Sequence, residues 1–103
     1  METEGGGDLR KYEIMVIVDP GADEEQVGAV VDRITGILSG HNGEVASVDR
    51  WGRRKLAYAI DKKTEGNYFV MAFTADASAL PELDRVLSLA DEVLRFKVVK
   101  TAA

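Results

Sequence analysis

The amino-acid sequence predicts an α+β fold in which two helices cover one face of a four-stranded antiparallel sheet. The first observation is that four segments have the alternating or continuous apolar pattern of strands, while two others have apolar residues at helical spacing. The second observation is the order of these segments, which is β-α-β-β-α-β. Two right-handed β-α-β units joined in this way give the strand order 4-1-3-2, which is the ferredoxin-like arrangement.

The first strand is predicted from Arg10 to Val18, and the Asp-Pro-Gly sequence at 19–21 ends it as a turn. Asp23 is predicted to cap the first helix, because its side chain can accept a hydrogen bond from the first helical turn. Gln26 follows three residues later and completes a capping box. The His-Asn-Gly sequence at 41–43 ends this helix. Its apolar stripe consists of Val27, Val30, Val31, Ile34 and Leu38.

The second strand is predicted from Glu44 to Ile60, where the apolar pattern returns to a period of two. Gly52 interrupts this strand and predicts a bulge or bend beside Trp51, because glycine inside a strand often marks one. A charged connection is predicted over 61–65, and a third strand follows over 66–74. The residues that share one face at the end of the second strand are Leu56, Tyr58 and Ile60.

Ser78 is predicted to cap the second helix, with Pro81 in the first turn, where a residue without an N–H group is tolerated. The fourth strand is predicted from Val93 to Val99, with Arg95 and Lys97 on the side opposite its alternating apolar residues. The stripe of the second helix consists of Leu80, Leu83, Leu87 and Ala90.

We expect one domain, because 103 residues is close to the usual domain size. Residues 10–101 would form a single ferredoxin-like domain, with an acidic, glycine-rich disordered tail over 1–9 and a short C-terminal end over 102–103. The sequence has neither a signal-peptide pattern nor an apolar run approaching the ~18 residues that span a bilayer. It also has no cysteine. We therefore expect a soluble cytoplasmic protein without membrane contact, disulfides or thiolate metal sites.

The net charge of −5 conceals a segregation of charges along the chain. The helical segments 23–41 and 78–92 carry many carboxylates and only two basic residues, Arg33 and Arg85. The other 11 of the 13 basic residues lie on strands or their connections. We therefore expect an acidic helical layer and a basic sheet layer. The basic residues of the sheet layer are Arg10, Lys11, Arg50, Arg53, Arg54, Lys55, Lys62, Lys63, Arg95, Lys97 and Lys100.

Basic residues beside aromatic ones are typical of RNA-binding surfaces, because cations attract phosphates while rings and guanidinium groups stack on bases. The aromatic candidates are Tyr12, Trp51 and Tyr68. In the basic run at 53–55, alternation places Arg53 and Lys55 on one face and Arg54 on the other. If Leu56 and Tyr58 face the core, so does Arg54, where arginine is seldom found. The alternative is that these charges only keep edge strands from pairing with other chains, and the charge pattern leaves both explanations open.

The sequence does not predict an enzyme. Its single histidine, His41, is expected at a helix C-terminus, where a cationic imidazole interacts favourably with the helix dipole. The sequence does not offer the Ser-His-Asp set or the Cys-His pair that nucleophilic catalysis uses. It also has too few ligands for a zinc site. The acidic residues at 23–25 are expected to be partners of the helix dipole. We therefore expect no cofactor, no metal and no small-molecule substrate.

The sequence Asp-Arg-Trp-Gly-Arg-Arg-Lys-Leu-Ala-Tyr at 49–58 closely resembles the signature of bacterial small-subunit ribosomal protein S six. The opening Arg-Lys-Tyr-Glu-Ile-Met at 10–15 resembles the start of the same family, and so do shorter matches at 66–68, 83–85 and 92–95. The resemblance implies a ferredoxin-like component of the 30S ribosomal subunit that binds 16S ribosomal RNA together with ribosomal protein S eighteen. Carried over by position, the first candidate RNA or partner contacts are Arg10, Tyr12, Arg53, Arg54 and Lys55, followed by Arg95 and Lys97. The neighbouring Lys11, Arg50 and Trp51 complete the set of candidates.

A regulatory ligand-binding module and a homodimer packed sheet on sheet are alternatives for the same fold. A ligand-binding module needs a defined pocket with several polar groups directed into it, and the sequence predicts none. The net charge of −5 weakens long-range attraction to RNA. We therefore expect RNA binding that is cooperative with a basic protein partner.

Overall fold

The computed structural model describes residues 9–60 and 62–101 and confirms the predicted element order. Its strands form one antiparallel sheet in the order β2-β3-β1-β4, so the predicted α+β, ferredoxin-like fold is confirmed. Apart from Leu9, the predicted tail 1–9 and the C-terminal end 102–103 lie outside the described residues. The elements are β1 (Leu9–Val18), α1 (Glu24–Ser39), β2 (Glu44–Ile60), β3 (Lys63–Asp76), α2 (Ala79–Leu89) and β4 (Val93–Lys100).

The hydrophobic core lies between the two helices and one face of the sheet. The predicted stripe of α1 is buried over most of its length, and α2 contributes the fully enclosed Leu83 and Leu87. From the sheet, alternate residues of the two central strands point into this core, because successive side chains in a strand point to opposite faces. They are Ile14, Val16 and Val18 of β1 and Phe69, Met71 and Phe73 of β3.

The start of α1 follows its prediction, whereas the start of α2 does not. Asp23 Oδ1 accepts from the Gln26 N–H at 2.8 Å, and Gln26 Oε1 accepts from the Asp23 N–H at 3.0 Å, which confirms the capping box. Ser78 occupies the N-cap position of α2, but its side chain makes no capping hydrogen bond. Its Oγ lies instead 2.9 Å from Nδ1 of His41, whose Nε2 lies 2.7 Å from Oε1 of Glu82. His41 therefore joins the end of α1 to the first turn of α2.

The hairpin of β2 and β3 is longer than predicted. β3 begins at Lys63 rather than at Gly66, so most of the expected connection at 61–65 belongs to the strand. The ladder runs through Lys55 opposite Glu65, shifts register, and ends with Ile60 opposite Lys63. No residue of β2 is buried. The hairpin therefore extends beyond the part of the sheet that the helices cover.

We call the side of the sheet opposite the helices the open face. It carries Met15 and Ile17 of β1, Tyr68 and Val70 of β3, and the alternating basic residues of β4. The end of the hairpin folds towards this face, where Leu56, Tyr58 and Ile60 help to line a cavity of about 240 Å³. Within residues 9–60 and 62–101, no helix is long and apolar enough to cross a membrane.

Candidate RNA and partner interface

The bulge predicted at Gly52 is present and directs Trp51 to the open face. The register shifts between Arg50 and Gly52, which leaves Trp51 as the extra residue, and Gly52 has φ 79°. The indole ring stacks on Tyr68 with 6.1 Å between ring centroids and 6° between planes. Its Nε1 donates to Asp49 Oδ2 at 3.0 Å. These contacts give the Trp51 ring a defined position on the open face.

Arg54 also contacts the Trp51 ring. Its guanidinium carbon lies 5.7 Å from the centroid of the Trp51 ring, and its Nε donates to the Trp51 carbonyl at 3.4 Å. The condition under which Arg54 would face the core is not met, because the face that it shares with Leu56 and Tyr58 is the open face. Alternation along the strand predicted that these three residues share a face.

The neighbouring basic residues of β2 lie on the other side of the strand. Arg53 Nη2 donates to the Pro20 carbonyl at 2.8 Å, and Arg53 Nη1 lies 3.8 Å from Glu65 Oε1. Arg50, also on this side, forms an ion pair with Glu24 of α1. These contacts hold Arg53 against the β1–α1 loop and Arg50 against the start of α1. Ion pairs exposed to this degree contribute little stability, so the main effect is to position the side chains.

Arg95 and Lys97 of β4 lie on the open face, opposite Ile17 and Met15 of β1. The Arg95 guanidinium carbon lies 5.4 Å from the centroid of the Tyr58 ring, and Nη1 donates to the Tyr58 hydroxyl. Since β2 and β4 are the two edges of the sheet, this contact joins the end of the hairpin to the opposite edge. Tyr58 was not predicted as a site residue, because the strand pattern does not show that the hairpin crosses the open face.

At the start of β1, the candidates Arg10 and Lys11 lie at the surface, whereas Tyr12 is buried. Arg10 and Lys11 are exposed, and the Lys11 carbonyl accepts from the Thr101 N–H at 3.0 Å, next to Lys100 at the end of β4. Tyr12 is only 4% exposed, and its ring packs on Phe73 with 5.6 Å between centroids. The proposed contact at Tyr12 is therefore corrected, because its ring belongs to the hydrophobic core.

The sheet layer is less uniformly basic than the sequence suggested. Two carboxylates that were not singled out, Glu13 and Asp49, lie on the open face beside Lys97.

In the β1–α1 loop, the Gly21 N–H donates to Asp19 Oδ1 at 2.8 Å. This hydrogen bond lowers the pKa of Asp19, and the nearby Lys63 lowers it further. Within residues 9–60 and 62–101, no group of three or more metal-ligating side chains could hold an ion.

Replacing Gly52 with valine should destabilise the bulge, because a β-branched residue at positive φ is strained. We expect the free energy of unfolding to fall by about 1–3 kcal/mol, with the sheet retained and the Trp51 emission altered. Gly52→Asn is the matched control, because asparagine tolerates this conformation better. Urea unfolding and fluorescence measure both effects. Equal stability and emission in the two variants would contradict a conformational role for Gly52.

The comparison with protein families identifies residues 11–100 with the family described as Ribosomal protein S6. The small ribosomal subunit protein bS6 of Corynebacterium kroppenstedtii is 46% identical over 95 residues, covering 92% of this chain and 100% of the relative. The protein of the same name from Carboxydothermus hydrogenoformans is 44% identical over 92 residues, covering 89% of this chain and 96% of the relative.

The crystal structure of 30S ribosomal protein S6 from Thermotoga maritima has a TM-score of 0.83 and 34% identity to this chain. The match covers 91% of this chain and 89% of the other. The family consists of structural proteins, so its assignment confirms the prediction of a non-enzymatic protein. The sequence match and the agreement in fold lead to one conclusion: this chain belongs to the ribosomal protein S6 family.

Proposed function

We propose that this chain is a structural component of the bacterial 30S ribosomal subunit, where it binds 16S ribosomal RNA together with ribosomal protein S eighteen. The observation that carries the proposal is the family match over residues 11–100, with relatives that are named as small-subunit ribosomal proteins. Its place of action would be the cytoplasmic ribosome.

The distribution of basic residues supports RNA contact at two places. Arg53 and Lys55 lie along the β2 edge, and Arg10 and Lys11 lie at the exposed start of β1. Phosphate attraction supplies most of the affinity of such surfaces for RNA. Arg54 and Arg95 already lie against aromatic rings. Their side chains would therefore lose less conformational freedom on binding RNA than free arginine side chains would.

A protein partner is supported by the open face and by the net charge. Trp51 and Val99 remain 43% and 42% exposed there, beside the half-buried Met15 and Val70. The net charge of −5 opposes binding to RNA at long range, and a basic partner would offset it. Cooperative binding with ribosomal protein S eighteen is therefore part of the proposal.

Sedimentation of an affinity-tagged chain from a bacterial lysate tests the proposal directly. We expect the tagged chain to migrate with 30S particles and to remain with them through a wash at moderate salt. A tagged single domain of similar size and charge, with no ribosomal relatives, is the control and should stay at the top of the gradient. If the chain also stays at the top while the 30S particles are intact, the proposed function is wrong.

Replacing Arg53 and Lys55 together with glutamine should weaken RNA binding without moving the bound site, because phosphate contacts position a protein but carry no sequence information. Each lost contact removes about 0.7 from the slope of log affinity against log salt concentration, so we expect a change on the order of one unit. Filter binding in the presence of ribosomal protein S eighteen measures the slope, and footprinting locates the site.

Arg85→Gln on the exposed surface of α2 is the control for the loss of positive charge. It should leave the slope nearly unchanged. If the double variant keeps the original slope but its footprint moves, Arg53 and Lys55 read bases or hold the partner instead of contacting phosphates.

A further inference from the structure

A cleft lies between the start of α1 and the bulged part of β2, on the side of the strand opposite the Trp51 ring. Its volume is about 200 Å³, which is less than the roughly 300–1,000 Å³ of pockets for drug-sized ligands. The space therefore suits one small ring system. We call it the α1–β2 cleft; its lining includes Ala22, Asp23, Glu24, Val27, Arg50 and Gly52.

The α1–β2 cleft has an apolar floor. Val27 is only 8% exposed and belongs to the hydrophobic core, and the half-buried Ala22 packs against the same core. The Asn67 Nδ2 donates to the carbonyls of Asp19 and Ala22, both at 3.3 Å, which holds the loop beside the floor in place. A Cβ atom built at Gly52 meets nothing within 4 Å, so the side of the cleft next to the bulge is open. A flat ring can therefore enter beside the bulge and pack on the floor.

Arg50 and Glu24 give the cleft a hydrogen-bond donor next to an acceptor. The Arg50 Nη1 donates to Glu24 Oε1, which uses one atom of each group and leaves the other guanidinium nitrogens and the other carboxylate oxygen. A Cβ atom at Gly28 would lie 3.7 Å from Arg50 Nη2, so the guanidinium group extends from β2 to α1. The pairing edge of a nucleobase also presents a donor next to an acceptor, and this edge is accessible only when the base is unpaired.

The charge of the cleft distinguishes a base from a phosphate. Asp23 and Glu24 outnumber Arg50 among the charged residues of the lining, so the cleft repels phosphate but not a neutral ring. Arg53 lies on the same side of β2, roughly 10 Å from Arg50 at about 3.3 Å per residue, and alternation places Lys55 on this side as well. Phosphates of one RNA strand can therefore meet Arg53 and Lys55 while a neighbouring base enters the cleft.

Building on the proposed function, we propose that the α1–β2 cleft binds one unpaired base of the RNA. The ring of this base packs on Val27 and Ala22, and its pairing edge donates to Glu24 and accepts from Arg50. Phosphate contacts at Arg53 and Lys55 position the strand but carry no sequence information, whereas this base contact does.

Replacing Glu24 with alanine tests the base contact. The Glu24 side chain is 90% exposed, so its ion pair with Arg50 contributes little stability and the fold should be retained. Glu25→Ala is the matched control, because Glu25 is the next residue of α1, is exposed, and changes the net charge equally. Filter binding uses the 16S ribosomal RNA fragment located by footprinting, with ribosomal protein S eighteen present. We expect Glu24→Ala to bind about tenfold more weakly than Glu25→Ala. The salt slopes should be equal, because a base contact releases no counterions.

Single abasic nucleotides, placed in turn at the unpaired positions of this fragment, identify the base. We expect one position at which the abasic change weakens binding of Glu25→Ala about tenfold, but binding of Glu24→Ala by less than about twofold, because that contact is already lost. The proposal is overturned if the two variants bind equally or respond alike at every position. A salt slope that differs by about 0.7 between them would also overturn it, because that result identifies a phosphate contact.

Sedimentation separates this proposal from the proposed function. If the unsubstituted chain migrates with 30S particles but no abasic position distinguishes the two variants, the cleft assignment fails and the ribosomal role stands. If the unsubstituted chain neither binds the RNA fragment nor migrates with 30S particles, both proposals fail. Migration with 30S particles, together with one abasic position that depends on Glu24, supports both.

Discussion

Replacing Phe69 with alanine is expected to lower the free energy of unfolding by about 3–5 kcal/mol. Phe69 is fully buried on β3, opposite Val16 of β1 and beneath the two helices. The substitution removes buried apolar surface and leaves a cavity that a two-layer core closes only in part. Urea unfolding monitored by circular dichroism measures this change in the free energy of unfolding. We expect the slope of that free energy against urea concentration to be the same in the two proteins.

Tyr68→Ala is the control for Phe69→Ala, because it removes a ring of similar size from the next residue of the same strand. Tyr68 lies on the open face and is half-buried against Trp51 and Ile17. We expect it to cost less than half as much stability as Phe69→Ala, because part of its surface is already in contact with water. Equal losses in the two variants would mean that the open face contributes as much to the core as the helix-covered face does.

Replacing Gly43 with alanine is expected to destabilise the fold by about 2–4 kcal/mol. A Cβ atom at Gly43 would lie 2.7 Å from the Leu38 carbonyl oxygen and 2.8 Å from the Thr74 carbonyl oxygen. Both are backbone atoms and cannot rotate away, so the chain leaving α1 would have to separate from β3. Thermal and urea unfolding both measure this loss, which arises from a close backbone approach and not from lost apolar burial.

Gly36→Ala is the matched control for Gly43→Ala. Gly36 lies inside α1, and a Cβ atom built there meets nothing within 4 Å outside the helix backbone. The substitution should therefore stabilise the protein by roughly 0.5–1 kcal/mol through the helix propensity of alanine. If Gly43→Ala proves as harmless as Gly36→Ala, the turn between α1 and β2 adapts more easily than its contacts suggest.

Local sequence signals predicted most of the fold because their causes are local. The capping box of Asp23 and Gln26 depends on hydrogen bonds within one helical turn, and the bulge at Gly52 depends on the backbone freedom of one residue. The spacing of apolar residues predicted the order of the helices and strands. The right-handedness of β-α-β connections then allowed one strand order in the sheet. Ser78 was predicted less well, because the long-range contact with His41 replaced its capping hydrogen bond.

Alternation along a strand determines which side chains share a face but not which face meets the helices. Leu56 and Tyr58 do share a face, and only the folding of the hairpin over the open face decides its direction. Tyr12 shows the same limit at the start of β1. Its neighbours Arg10 and Lys11 suggested a surface site, while its register with Phe73 places the ring in the core.

The sequence by itself determined the family signature, the six elements and the set of basic residues from which an RNA surface can be built. Tertiary structure alone decided how several of those residues are used, because their partners lie far away along the chain. Arg53 donates to the Pro20 carbonyl, and Arg95 meets Tyr58 only when the hairpin crosses to β4. The depression on the open face beside Trp51 likewise exists only when the four strands lie side by side, since each strand contributes at least one of its lining residues.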